Sequence, residues 1–263
     1  MIAIELNPTR GGLIKNEPGT LIWSEALADG RQAVAKLYRR GLATWCRSLA
    51  TGFRVQREFD GLSQLEAHGI PCSVPLFWCH GHFGLHGWGE ILATEWVAQS
   101  QTLRDLAMTR SEVGKPLDLA PLFADVARMH AVGIHHGGLR MRNILVKDFP
   151  EWPVFVFIDM SRFHCFPHDI RGTRMARYDL MFLCQGLLRY FSEDEILLWL
   201  AGYDISESKR MDLLARLKRF RSTSFLRRCI GAEFNGHAMI ARFLTFFSRN
   251  APANQHHSGS SFY

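Results

Sequence analysis

The chain has 263 residues, 47% of them hydrophobic, and a formal net charge of +6. That is apolar material enough for a real core and argues against a disordered chain. Six cysteines without a C-x-x-C pair argue against a disulfide framework and for reduced thiols in a cytoplasmic protein. No window reaches the roughly 18 apolar residues of a spanning helix, so any membrane contact is expected to be peripheral. The positive balance selects anionic partners, whether nucleotide phosphates, phospholipid or phosphorylated glycolipid, or nucleic acid.

The first ten residues, MIAIELNPTR, carry Glu5 within a short apolar start, so no secretory leader is expected there. Residues 12 to 38 alternate short apolar runs with turn signals. An Asp29-Gly30 turn lies between the strand-like runs Leu21 to Leu27 and Gln32 to Tyr38, a strong hairpin signal. From Arg54 to His68, Val55, Phe59, Leu62 and Leu65 recur at helical spacing, and Gly69-Ile70-Pro71 ends the run. Glu58 shares that inward face. A buried carboxylate needs a partner. Lys36, on the strand before this helix, is one candidate; Arg54 or solvent at the rim is the other.

Trp78 to Trp88 (WCHGHFGLHGW) gathers Cys79, His80, His82 and His86. The frequent glycines suggest a loose hairpin tip, and no second ligand cluster at a zinc spacing follows. Glu90 to Val97 reads as a buried strand, and Gln101 to Ala107 as the start of a helix. Leu119, Leu122, Phe123, Val126 and Met129 stripe a further helix that closes at Gly133.

Next come a short apolar strand from Ile144 to Val146, a charged turn from Lys147 to Pro153, and a buried strand from Val154 to Ile158. The hairpin brings its two ends together, and with them Asn143 and Asp159. An amide oxygen beside a carboxylate is the hard-oxygen pair that Mg²⁺ prefers. After a short gap a helix begins near Met175, with Asp179 set among Leu180, Leu183, Leu187 and Leu188. The last third is helical by pattern and strongly basic, with Lys209, Arg210, Arg216, Lys218, Arg219, Arg221, Arg227 and Arg228 beside Phe220 and Phe225. Such a face is either solvated or suited to an anionic membrane surface. The polar stretch from Asn254 to Ser261 reads as a disordered tail.

Two of these segments resemble parts of the protein-kinase-like fold. H-x-x-L-x-x-x-N at His136 to Asn143, followed by a hydrophobic strand ending in Asp159, resembles the catalytic loop and metal-binding Asp. Ala33-Val34-Ala35-Lys36 resembles the strand whose Lys pairs with nucleotide phosphates. At one position the pattern departs: where it has the Asp that receives the substrate hydroxyl proton, this sequence has Gly138.

The order of parts resembles the lipopolysaccharide kinase family of Gram-negative bacteria, the WaaP, InaA and Kdo-kinase group, over about residues 20 to 205. The resemblance is carried by KLYRRG at Lys36 to Gly41, REF with GIP at Arg57 to Pro71, and ATEW. It continues through VARMHAVGIHHGGLRMRNIL at Val126 to Leu145, VFIDMSR at Val156 to Arg162, YDL at Tyr178 to Leu180 and LLWLAGY at Leu197 to Tyr203. It implies an α+β, two-lobed protein-kinase-like fold. Residues 1–97 would form a small antiparallel-sheet lobe with one helix, residues 98–250 a mainly helical lobe, and residues 251–263 the tail.

The implied reaction moves the γ-phosphate of ATP to a heptose or Kdo hydroxyl of the lipopolysaccharide inner core, at the cytoplasmic face of the inner membrane. Lys36 would hold the α- and β-phosphates, Glu58 would orient Lys36, and Asn143 and Asp159 would bind Mg²⁺. Backbone groups of Glu95 to Val97, the hinge, would meet the adenine. His136 would be a structural member of the catalytic loop, His135 part of its turn, and Asp179 the tether of the loop backbone. Gly11-Gly12 and Gly19 are the candidates for a phosphate loop, and neither forms G-x-G-x-x-G. The short gap after Asp159 leaves little room for a peptide-docking segment and favours a small-molecule or lipid-linked acceptor. Without a carboxylate at Gly138 the transfer is expected to be weak, and a pseudokinase that binds without transfer is the alternative. No nucleic acid is expected as a partner, because the basic helices carry no recognisable nucleic-acid motif.

Overall fold

The computed structural model describes residues 12–27, 29–113 and 117–222, with side chains to Leu217 except at positions 47, 50, 51 and 110–113. The first eleven residues, the basic positions from Lys218 onward as side chains, and the expected tail lie outside the described residues. Two compact units divide at Leu214, and the second contributes only the end of the last helix to the described residues.

The fold mixes an antiparallel sheet with several helices. Strands β1 (Gly12–Glu17), β2 (Thr20–Ala26), β3 (Gln32–Arg39), β4 (Pro75–His82) and β5 (Trp88–Glu95) lie in the order β1-β2-β3-β5-β4. Pro18-Gly19 closes the first hairpin, with Gly19 at φ 85, a left-handed conformation that costs glycine nothing. Alternation along the strands sorts the side chains. Leu21, Trp23, Ala35, Leu37 and Ile91 form a core on one face, while Lys36, Tyr38 and Glu90, one step out of phase, lie on the other.

Helices α1 (Leu42–Thr51) and α2 (Arg54–Ala67) follow β3, and α2 packs on β4 and β5. Val55, Leu62 and Leu65 of its stripe are buried, with Glu58 among them; Phe59 is half-buried. Glu90 is fully buried and accepts the Val55 N–H at 3.1 Å and Arg40 Nε at 3.2 Å. A carboxylate at a helix N-terminus is favoured by the dipole and the free N–H groups there. The first turn of α2 is thereby pinned to β5.

A second sheet, β6 (Gln101–Thr102), β8 (Ile144–Lys147) and β9 (Val154–Phe157), has the order β6-β8-β9, and β7 (Ile134–His135) pairs with β10 (His164–Cys165). Helices α3 (Leu103–Val113), α4 (Ala120–Ala131), α5 (Arg174–Leu187), α6 (Glu193–Leu200) and α7 (Glu207–Ser222) complete the described chain. The segment after α2 runs along β9: Phe157 N–H donates to Pro71 O at 3.0 Å, and Ser73 N–H to Phe157 O at 3.1 Å. That seam ties the second hairpin to α2 and fixes the distance between their ends.

The structure departs from the sequence reading in four places. Trp78 to His82 belong to β4 and only the segment around Phe83 to Gly87 turns, because cross-strand pairing with β5 overrides the glycines. Gln101–Thr102 pair with β8 before the helix starts at Leu103. His135 is not in a turn; it is a buried residue of β7, opposite His164. Helix α1 had no sequence signal that set it apart from the loop around it.

Candidate active site

Lys36 Nζ lies 2.6 Å from Glu58 Oε1, and Tyr38 Oη donates to Glu58 Oε2 at 3.1 Å. Glu58 is 1% exposed and Lys36 19%, so the pair is closed off at its carboxylate and partly open to water at its ammonium. The β-strand period that puts Lys36 and Tyr38 on one face makes both reach the same carboxylate. Burial works against the Lys36 ammonium, but the charges of Glu58, Tyr38 and Asp159 outweigh it and hold its pKa above the ordinary lysine value.

Asp159 follows β9 and adopts a left-handed backbone, φ 58. Burial alone would raise its carboxyl; Lys36 and Arg54 more than offset this and hold it below the usual range. Arg54, the first residue of α2, places Nη2 3.5 Å from Asp159 Oδ1 and 3.3 Å from Ser161 Oγ, with its guanidinium 4.2 Å from the centre of the Tyr38 ring. The residue weighed in the sequence as a partner for Glu58 thus turns to Asp159 instead. Sequence spacing could not have chosen, since the two are 105 positions apart.

The loop from His136 to Asn143 is closed on itself by Asn143 Nδ2, which donates to Gly138 O at 2.8 Å. With the amide nitrogen so used, the amide oxygen is the atom left for a cation. The backbone ladder pairs Asn143 with the residue before Asp159: Ile158 N–H donates to Asn143 O at 3.0 Å. One amide and one carboxylate oxygen are too few for a protein cage, and among the described residues no three His, Cys, Asp or Glu gather as a metal cluster. They fit Mg²⁺ that shares its shell with substrate phosphates and water.

Asp179 on α5 is fully buried and accepts the N–H groups of His136 at 2.8 Å and Gly137 at 3.1 Å. His130 Nε2 lies 3.3 Å from the same carboxylate and its Nδ1 2.6 Å from Tyr203 Oη, while His135 Nε2 stands 3.6 Å away. Burial opposes the charged Asp179, yet His135, His130 and His136 hold its carboxyl far below the usual range. Burial also pushes the His135 and His136 imidazoles below the ordinary value.

All three shifts have the same sign for stability. A histidine held neutral in the fold is protonated first in the unfolded chain, so stability is lost as pH falls through the unfolded value of about 6.5. The Asp179 contribution is present above the unfolded carboxylate value of about 3.9 and is lost only below it. The melting temperature is therefore expected to be flat near pH 8 and to fall steadily from about pH 6.5 downward. A melting temperature that rises on going from pH 7.5 to 5.5 would contradict this account of the buried cluster.

Gly138 has no positive φ, and a Cβ there would meet nothing closer than Asn143 Nδ2 at 3.8 Å and His136 Nδ1 at 3.9 Å. The missing side chain is not required by packing. Its neighbour Gly137 is different: at φ 72 its Cα lies against the Arg162 carbonyl, leaving no room for a Cβ.

Glu95 and Val97 stand at the end of β5. Glu95 O accepts from Ser73 Oγ at 3.0 Å, its N–H donates to Val74 O at 2.8 Å, and its side chain pairs with Arg31; Val97 O accepts from Ser100 Oγ at 2.7 Å. The histidines of the β4–β5 hairpin go elsewhere: His80 stacks on Phe53 at 3.9 Å, and His82 meets the edge of Trp88 at 5.4 Å. Sequence reasoning missed the roles of Glu90, His130 and Tyr203. A buried Glu on a central strand was the one signal that could have flagged Glu90.

A family model described as the lipopolysaccharide kinase (Kdo/WaaP) family matches residues 16–203. Among solved structures, "WaaP in complex with acyl carrier protein" matches with a TM-score of 0.59 at 19% identity, over 80% of this chain and 86% of that one. At that identity the likeness speaks for a shared fold. A comparison with curated proteins finds no match.

Proposed function

The chain belongs to the lipopolysaccharide kinase (Kdo/WaaP) family, and from that premise we propose that it transfers the γ-phosphate of ATP to a heptose or Kdo hydroxyl of the lipopolysaccharide inner core. The observation that carries this reading is the Lys36–Glu58 pair, whose ammonium and the Asp159 carboxylate feel one another's charge. In this reading residues 1–97 and 98–250 are the two lobes of a protein-kinase-like fold. Lys36 holds the α- and β-phosphates, Glu58 and Tyr38 keep it aimed, and the backbone of Glu95 to Val97 borders the adenine. Asn143 and Asp159 would hold Mg²⁺, which would supply neutralisation of the phosphate charge. Asp179 keeps the His136–Gly138 backbone in place. The tight Pro18-Gly19 turn takes the position of a phosphate loop with one glycine only, so Lys36 carries more of the phosphate contact. The chain would work peripherally, on the anionic cytoplasmic surface of the inner membrane.

Gly138 favours a second reading, a pseudokinase that binds nucleotide and glycolipid and regulates envelope assembly. Phosphoryl transfer depends mainly on positioning and charge neutralisation, and the loss of a general base costs about 10²–10⁴-fold, so a slow enzyme is compatible with this site. The test is ³²P incorporation from ATP into dephosphorylated core oligosaccharide, with a Mg²⁺-dependent thermal shift by ATP as its companion. Asp159→Asn is expected to abolish the Mg²⁺-dependent part of the shift and to lower transfer on the order of 10³-fold. A shift without any transfer selects the pseudokinase. No shift and no transfer ends the kinase reading.

A further inference from the structure

Three arginines whose charges act on one another belong to the segments that meet at Gly137 and Gly138. Arg140 and Arg142 lie within the loop that Asn143 closes onto Gly138, and Arg162 has its backbone packed on Gly137. All three are exposed. Arg31, Arg40, Arg54, Arg128 and Arg171 each have a carboxylate at ion-pair distance. Among the described residues Arg140, Arg142 and Arg162 have none, and Arg140 rests on the Phe182 ring, 5.3 Å from its centre. Three like charges held around one short loop repel each other unless an anion joins them. The charge of Asp159 acts on Arg140 without pairing with it, and position 138 is a glycine with space for a side chain it does not carry.

We propose that Arg140, Arg142 and Arg162 form an oxyanion site for the acceptor, and that the acceptor's own anionic group stands in the space beside Gly138 and takes the hydroxyl proton. The ligand class is a sugar that carries an oxyanion near the reacting hydroxyl, either a sugar carboxylate or a phosphate ester already in place. This deepens the kinase reading and rests on it for the transfer step. In that step the acceptor oxygen bonds to the γ-phosphorus while the bond from that phosphorus to the β,γ-bridging oxygen breaks. The proton passes from the hydroxyl to the acceptor's own carboxylate or phosphate oxygen, and ADP leaves with the bridging oxygen's electrons. A carboxylate serves as the base in the usual catalytic loop, so a sugar carboxylate brings the same chemistry from the other side. Planar guanidinium groups suit it because they bind carboxylate and phosphate through paired N–H donors.

The test compares four probes on the full-length chain with a non-hydrolysable ATP analogue and Mg²⁺: a Kdo glycoside, its neutral methyl ester, a heptose and its phosphate ester. Binding is read by calorimetry. At least one acid is expected to bind about tenfold or more tightly than its neutral counterpart, and which pair shows the preference identifies carboxylate or phosphate as the source. Arg140→Gln/Arg142→Gln/Arg162→Gln is expected to abolish the preference and raise KM for the acceptor with KM for ATP unchanged. Gly138→Asp is expected to weaken the acidic probe by charge repulsion and to shift transfer toward the neutral one. Equal binding of acid and neutral probes overturns the proposal, as does a triple variant that raises only KM for ATP. Melting curves of the variants guard against misfolding, and each single Arg→Gln variant repeats the comparison should the triple one unfold. Binding of the probes without nucleotide is measured as well: a preference for acids in a chain that fails to bind ATP would retain the oxyanion site and sink the kinase reading alone.

Discussion

Lys36→Met is expected to lower stability and to remove nearly all transfer at the same time. The substitution leaves Glu58 at 1% exposure without its cation, and breaking a buried pair from one side costs about 3–5 kcal/mol. The lower end applies, because Tyr38 Oη still donates to Glu58 Oε2 and the Lys36 end of the pair is partly open to water. Transfer is expected to fall at least 10²–10³-fold, the usual cost of removing one charge-stabilising donor. The two effects are separable. Lys36→Met/Glu58→Gln removes the stranded charge and should recover most of the melting temperature while transfer stays lost. Urea denaturation and the phosphate-incorporation assay read the two quantities independently. If the double variant is no more stable than Lys36→Met alone, the carboxylate was not stranded and the pair is not the buried anchor described.

Asp179→Ala is expected to be the most destabilising single change in the helical part. It orphans the His136 and Gly137 N–H groups and removes the acceptor for His130 at once. Each buried unsatisfied donor costs about 1–3 kcal/mol, so a combined loss of roughly 3–5 kcal/mol follows, less whatever water can enter. Asp179→Asn keeps one acceptor oxygen and should lose roughly half as much. Hydrogen–deuterium exchange gives the local readout: the His136 and Gly137 amides should exchange much faster in the alanine variant, while those of β2 and β3, far along the sheet, change little. Unchanged protection at those two amides would mean that Asp179 does not hold the loop. The same variant should also steepen the fall of melting temperature below about pH 6.5, since without the Asp179 charge burial pushes the His135 and His136 imidazoles still lower in the fold.

This lysine and this aspartate show how the family match and the physical reading divide the work. The family speaks for a lipopolysaccharide kinase; the geometry says which bonds hold the candidate site residues in place. Gly138 is where they pull apart. Its surroundings would admit a side chain, so the absence of a carboxylate there is not a packing constraint.

Much of this was legible in the chain itself. Strand alternation through Ala33 to Tyr38 decided that Lys36 and Tyr38 share a face, the helical stripe Val55, Leu62, Leu65 decided that Glu58 points inward with them, and the run from Ile144 to Phe157 announced the hairpin that ends in Asp159. Those are local facts, set by the periods of backbone geometry over a handful of residues. Partner choice is not local. That Arg54 turns to Asp159, that Glu90 caps α2, that Asp179 collects two backbone amides and His130 joins it to Tyr203, and that Arg162 lies on Gly137, all join residues separated by between 25 and 105 positions. A charge or a donor is compatible with many partners until the fold brings one of them within 3 Å or so, and only the tertiary structure made that selection.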